Sequence, residues 1–127
     1  MIRVTKSDRY SIVIELDNAG CHEMLQAYRQ TLENQHVPVK TIMDRGIFSR
    51  KPDRAEVDMF VVQIPGEETL DFTDNNLVLS LNQDSIQYGV DRLSEGMVVG
   101  NIFPAELCNV SIKPNSKNVT IYCILNN

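Results

Sequence analysis

The stretch IVIELDNAGCHEMLQAYRQTL, residues 12–32, combines the hydrophobic period of a strand with that of a helix. In its first part the apolar residues fall on one face of an extended chain with Tyr10, which is typical of a half-buried strand. After residues 17–20, the apolar side chains recur at helical spacing at Cys21, Met24, Leu25, Tyr28 and Leu32. The stretch therefore predicts a strand that leads directly into an amphipathic helix.

A second stretch repeats this pattern 65 residues later. LVLSLN (77–82) aligns with IVIELD (12–17) without a gap, and Asp84 is predicted to cap the following helix. The same shift gives the second helix a shorter apolar stripe, at Ile86, Gly89, Val90 and Leu93. The likeness favours an internal duplication, although any two strand–helix units that pack alike need the same periods.

Each predicted helix is followed by two predicted strands. Residues 37–43 and 55–64 follow the first helix, and the arms of a closing hairpin follow the second. We therefore predict one α+β domain over residues 1–127, with a mixed or antiparallel sheet of about six strands and two helices covering it. The order βαββ occurs twice, and the halves of this pseudo-repeat run over about residues 9–64 and 76–125.

The closing stretch CNVSIKPNSKNVTIYC, residues 108–123, predicts a hairpin. If Lys113 pairs with Asn118, Cys108 faces Cys123 and the apolar residues of both arms share one side. Opposed cysteines can form a disulfide or contribute to a metal site. Because these two share their face with valine and isoleucine, we interpret them as reduced core side chains, while a disulfide under oxidation stays open.

The sequence also predicts a cytoplasmic protein. The N-terminal segment MIRVTKSDRYSIVIELD has charges spread among its apolar residues, unlike a signal peptide. The longest apolar runs, such as residues 59–62, are far shorter than a membrane span. Three cysteines, an odd number, are typical of a reducing compartment.

The charge of the chain is unevenly distributed. The formal net charge is −5, which argues against direct binding of nucleic acid. Residues 40–54 carry five basic and two acidic side chains, whereas residues 55–91 carry eight acidic side chains and no Lys, Arg or His. An acidic surface of this kind favours a basic partner.

No residue pattern predicts catalysis, a metal site or a cofactor. Cys21 and His22 are adjacent, so on a helix they point about 100° apart and cannot share a site. His36 has no evident partner in the sequence, and residues 71–76 lack the glycine and glutamate spacing of a calcium loop. Glu56 and Asp58 share one strand face, where carboxylates are usually solvated.

These observations favour a non-catalytic protein that binds a basic protein. The pieces IVIELDNAGCHEMLQAYRQTL and GNIFPAEL…IYCIL resemble parts of small bacterial immunity proteins, which neutralise a toxin. The resemblance implies an inhibitor, with a nuclease toxin as an example of a basic partner, and it transfers no individual residue. From the charge distribution, we expect the partner to contact six acidic residues: Glu56, Asp58, Glu67, Glu68, Asp71 and Asp74.

A small-ligand-binding protein is the alternative. Paired β-α-β units in a chain of this length resemble the glyoxalase and bleomycin-resistance fold, whose two modules form a ligand cup. The metal enzymes of that family use histidines and glutamates on the sheet face, whereas this chain offers only His22 and His36. The resemblance therefore implies sequestration of a ligand rather than metal-dependent catalysis, and each predicted module is one strand short.

Overall fold

The structure, a computed structural model, describes residues 1–44, 46–48, 55–113 and 116–126. Across these residues, eight strands form a closed barrel that is accompanied by two helices. The predicted fold class, an α+β domain with a sheet of about six strands, is therefore wrong. Most of the basic loop predicted over residues 45–54 and the tip of the closing hairpin at residues 114–115 lie outside the described residues.

The two halves of the chain have the same order of elements, ββαββ. The first half contains β1 (Ile2–Asp8), β2 (Ser11–Leu16), α1 (Asn18–Leu32), β3 (Val39–Met43) and β4 (Ala55–Gln63). The second half contains β5 (Thr69–Thr73), β6 (Asn76–Leu81), α2 (Gln83–Val99), β7 (Ile102–Ile112) and β8 (Lys117–Leu125). Duplication of one ancestral half stays a prediction.

The strand order around the barrel is β1-β2-β8-β7-β5-β6-β4-β3, and β3 pairs back onto β1. Four antiparallel pairs join strands that follow each other along the chain: β1 with β2, β3 with β4, β5 with β6 and β7 with β8. The other four pairings, β1 with β3, β5 with β7, β2 with β8 and β4 with β6, are parallel. The hairpin connections therefore all lie at one end of the barrel, which we call the mouth, and both helices leave from the opposite, closed end.

Hydrophobic alternation in the sequence does not predict β1 or β5, and these two strands close the barrel. β1 joins β2 to β3, and β5 joins β6 to β7, so the remaining strands alone would form two separate sheets. Both strands are rich in polar residues, and only Ile2 and Val4 of β1 and Leu70 of β5 are buried. A strand with so few buried positions gives almost no alternation to detect.

Alternating side chains fill the barrel interior. In β6, Leu77, Leu79 and Leu81 are fully buried, whereas the residues between them are only partly buried. In β2, Ile12, Ile14 and Leu16 are also buried, as their alternation predicts. Tyr10, which is predicted to share their face, is exposed. Each such side chain contributes about 1.5–3 kcal/mol through burial, so the interior face is the main source of stability.

The two helices pack against each other at the closed end. Asp17 caps α1 by accepting a hydrogen bond from the Gly20 amide at 2.7 Å, and Asn82 caps α2 by accepting one from Ser85 at 2.9 Å. The prediction that Asp84 is the cap is wrong, since this residue lies inside the first turn. The helix contact is tight because a Cβ at position 89 would overlap the buried ring of Tyr28.

The closing hairpin forms with a register two residues away from the predicted one. Cys108 lies opposite Ile121, and Cys123 lies opposite Ala105 beyond a bulge. A two-residue shift keeps every side chain on its predicted face, which is why the alternation alone could not detect it. All three cysteines are free and buried, and burial raises the pKa of each thiol, that of Cys123 to about 11.

Candidate functional site

The mouth of the barrel contains an open cavity of about 920 Å³, which we call the mouth cavity. It lies above the packed interior and is lined by residues from both halves of the chain. Among the described residues, its lining includes Lys6, Asp8, Arg9, Ser11, Ile12, Gly46, Ile47, Phe48, Thr69, Asp71, Phe72, Thr73, Ile112, Lys113, Lys117 and Val119.

The mouth cavity forms where two parallel strand pairings are short. In the described residues, β5 pairs with β7 only at Thr69 and Leu70, so residues 71–73 continue past the end of that ladder. β1 likewise pairs with β3 only at Arg3 and Val4, and its later residues reach the mouth without a β3 partner. The wall therefore opens at two places, and side chains from both openings line the same space.

Apolar side chains form the floor and one wall of the mouth cavity. The rings of Phe48 and Phe72 pack together with their centroids 5.8 Å apart and a tilt of 41°. Ile12, Ile112 and Val119 are buried members of the hydrophobic core that also contribute to the lining. The cavity therefore offers a surface on which an apolar molecule can be removed from water.

Four basic side chains line the same cavity: Lys6, Arg9, Lys113 and Lys117. The Arg9 guanidinium and the Lys117 ammonium lie 5.7 Å and 5.5 Å from the centroid of the Tyr10 ring, so both pack against this ring. Lys113 lies 3.9 Å from the carboxylate of Glu67. Among the described residues of the lining, four are basic and two, Asp8 and Asp71, are acidic, so even with Glu67 beside Lys113 the cavity keeps a net positive charge within a negatively charged protein.

The two halves contribute unlike residues at equivalent positions of the mouth cavity. Lys6 pairs with Ile12 and Phe72 pairs with Leu77, and the shift of 65 residues relates Ile12 to Leu77, so Lys6 and Phe72 are equivalent, and both line the cavity. The barrel scaffold is therefore symmetric in topology, whereas the chemistry of its mouth is not. This asymmetry gives the cavity a cationic side and an aromatic side.

Three of the six predicted partner-binding acids lie together elsewhere on the surface. Glu56, Asp58 and Asp74 line a shallow groove of about 380 Å³, which we call the acidic groove, and Lys40 also lines it. Asp58 faces Lys40 across the β3–β4 ladder. Asp74 and Asn75 form the two-residue turn between β5 and β6, and both have positive φ angles.

The other three predicted acids lie apart from the acidic groove. Glu67 lies beside Lys113, and Asp71 lines the mouth cavity. Glu68 is partly buried, and its carboxylate accepts a hydrogen bond from the Asn82 amide at 3.0 Å. The position of Glu68 therefore indicates a structural role at the start of α2, and the eight-acid stretch does not form one continuous surface.

The two histidines are exposed and separate. His22 lies on α1 with its ring nitrogen 3.4 Å from the side-chain amide nitrogen of Gln26, and His36 precedes β3. Within the part of the chain that the structure describes, no three His, Cys, Asp or Glu side chains are grouped so that they could hold a metal ion. Neither described helix is both long and apolar enough to cross a membrane.

Comparisons of the chain with protein-family models, with curated proteins and with solved structures found no match. The resemblance to immunity proteins therefore stays a prediction, and the mouth cavity has to be interpreted from its own residues. Sequence reasoning missed this cavity, although one signal was present: the basic residues 6, 9, 113 and 117 flank the two turns that join β1 to β2 and β7 to β8.

Proposed function

We propose that this protein binds a small molecule in the mouth cavity. The observation that carries the proposal is a cavity of about 920 Å³ in which an aromatic floor and several charged side chains converge. Ligand sites have volumes of about 300–1,000 Å³ and combine an apolar lining with a few polar groups that orient the ligand. The barrel supports such a role because its closed ladder fixes the positions of the lining strands.

A neutral fluorescent probe tests this proposal. We expect N-phenyl-1-naphthylamine to bind one-to-one with a Kd of about 200 µM or tighter, since ligands gain about 0.3 kcal/mol per non-hydrogen atom. Phe72→Ala should weaken binding about fivefold to tenfold, because it removes half of the aromatic floor. The measurement is the rise in probe fluorescence, well below the unfolding temperature of each variant.

Phe103→Ala is the matched control for that measurement. Phe103 is 81% exposed and does not line the mouth cavity, so its removal should leave probe binding unchanged. If the probe does not bind, or if Phe103→Ala weakens binding as much as Phe72→Ala, the mouth cavity is not the site.

Inhibition of a basic protein is the second candidate function, and the acidic groove favours it. Glu56, Asp58 and Asp74 lie close enough together to present one negative surface. Such a surface would speed the encounter with a basic protein and fix its orientation. We also propose a cytoplasmic location, which the three free cysteines support because thiols stay reduced there.

Charge reversal separates the two candidate functions. We expect the Glu56→Lys, Asp58→Lys, Asp74→Lys variant to lose capture of a basic protein from a lysate of the source cells, and to bind N-phenyl-1-naphthylamine unchanged. The control reverses Glu23, Asp84 and Asp91, which lie on the helices and change the net charge equally. Equal capture by the two triple variants would reject the acidic groove as a partner-binding surface.

A further inference from the structure

We propose that the ligand of the mouth cavity is an amphipathic anion, with one acidic head group and an apolar body. This inference rests on the proposed function and adds the chemical class of the ligand. It follows from the distribution of charged and aromatic residues around the barrel, rather than from the volume of the cavity alone.

The four cations lie on one half of the barrel. Around the ring, β1, β2, β8 and β7 are consecutive neighbours. Lys6 belongs to β1 and Arg9 to the turn between β1 and β2, while Lys117 begins β8 and Lys113 directly follows β7. Four adjacent strands therefore bring their positive charges to one side of the mouth.

The aromatic pair lies on the other half of the barrel. Phe72 belongs to β5, and Phe48 belongs to the connection between β3 and β4, so both lie among the strands β5, β6, β4 and β3. Their rings contact each other, and Phe48 is buried. A bound molecule would therefore meet positive charge on one side and an aromatic wall on the other, while the aliphatic lining residues Ile12, Ile112 and Val119 belong to strands of the cationic side.

The two carboxylates of the lining do not cancel this polarity. The Asp8 carboxylate, which accepts a hydrogen bond from the Tyr10 amide at 2.8 Å, keeps its negative charge, so the lining of the cationic side has four basic side chains against one acidic one. Asp71 lies on β5, on the aromatic side, where it would repel an acidic head group and favour its placement near the lysines. A neutral ligand can accept hydrogen bonds from these cations, but an anion gains stronger, charge-assisted ones from both partners being ionised.

Displacement of the neutral probe by a matched pair of amphiphiles tests the inference. Decanoate and decanol have the same chain length and differ in the charge of the head group. We expect decanoate to displace N-phenyl-1-naphthylamine at about a tenfold lower concentration than decanol, with the difference shrinking as salt is raised. Inorganic phosphate should not displace the probe, because it has no apolar body; decyl phosphate would report whether a phosphate head is preferred to a carboxylate.

Two variants locate the head group. The Lys113→Gln, Lys117→Gln variant should bind decanoate about fivefold to tenfold more weakly and decanol unchanged. Lys40→Gln is the matched control, because Lys40 lines the acidic groove and not the mouth cavity. If decanoate and decanol displace the probe equally, or if Lys40→Gln has the same effect as the double variant, the anionic class is wrong although the cavity still binds ligands. If the probe itself does not bind, the proposed function is wrong, and the inference about the ligand class falls with it.

Discussion

Raising the pH from 9 to 11 should destabilise the folded protein steeply, with Cys123 alone contributing a loss of about 2 kcal/mol. Burial, with a smaller effect of the neighbouring Cys21, raises the pKa of its thiol from an ordinary value of 9.0 to about 11. Burial likewise raises the pKa of Cys21 and of Cys108, and raises that of the Tyr28 hydroxyl well above its ordinary value. Since the net stability of a domain is about 5–15 kcal/mol, these groups together can unfold it.

The direction of the effect follows from proton binding in the two states. Between pH 9 and pH 11 the unfolded chain loses the Cys123 proton while the folded chain retains it. The unfolded state therefore binds fewer protons, and the free energy of unfolding falls as the pH rises. The stabilisation is fully present below pH 9 and is lost as the pH passes through the folded pKa of about 11.

Urea unfolding at a series of pH values measures this slope. In Cys123→Val, the slope of the free energy of unfolding against pH should be shallower by about 1 kcal/mol per pH unit near pH 10, because one titrating proton is removed. Ile121→Val is the control: Ile121 is a buried residue two positions earlier on β8, and its truncation lowers stability without changing the slope. A slope that is the same in both variants would contradict the assignment to the thiol.

The sequence predicts the local strands and helices of this chain better than it predicts how the strands close into a barrel. The strand and helix of residues 12–32 have strong alternation and a strong helical period, since one face of each is buried. β1 and β5 close the barrel through parallel pairings that cover only two residues on one side. Closure therefore depends on backbone pairing between distant strands, which leaves no hydrophobic pattern in the sequence.

The candidate site was harder to predict than the fold, because its residues come from five separate places in the sequence. Lys6 and Lys117 are isolated lysines in polar segments, and nothing local distinguishes them from solvated surface charges. The concentration of acids in residues 55–91 was visible, but β5 and its turn divide these side chains among different surfaces. A charge excess in sequence predicts a surface only when the strand order is known.

Gly89→Ala should destabilise the protein by about 2–4 kcal/mol, although alanine favours a helix over glycine by about 1 kcal/mol. The added Cβ would overlap two carbons of the Tyr28 ring, which is fully buried between the helices and the barrel and cannot move away. Gly96→Ala in the same helix is the comparison: its Cβ would meet the flexible end of the Ile102 side chain, so the expected cost is smaller. Urea unfolding of both variants measures the difference.

A double variant shows whether the cost of Gly89→Ala comes from this overlap or from any substitution in α2. The buried Tyr28 hydroxyl has no hydrogen-bond partner among the described residues, so Tyr28→Leu breaks none of the hydrogen bonds seen there and removes the ring that a Cβ at position 89 would overlap. In the Tyr28→Leu background, Gly89→Ala should be close to neutral or slightly stabilising, because only the helix preference remains. If Gly89→Ala costs as much with leucine at position 28 as with tyrosine, the helices do not meet at this pair, and the closed end of the barrel is packed in another way.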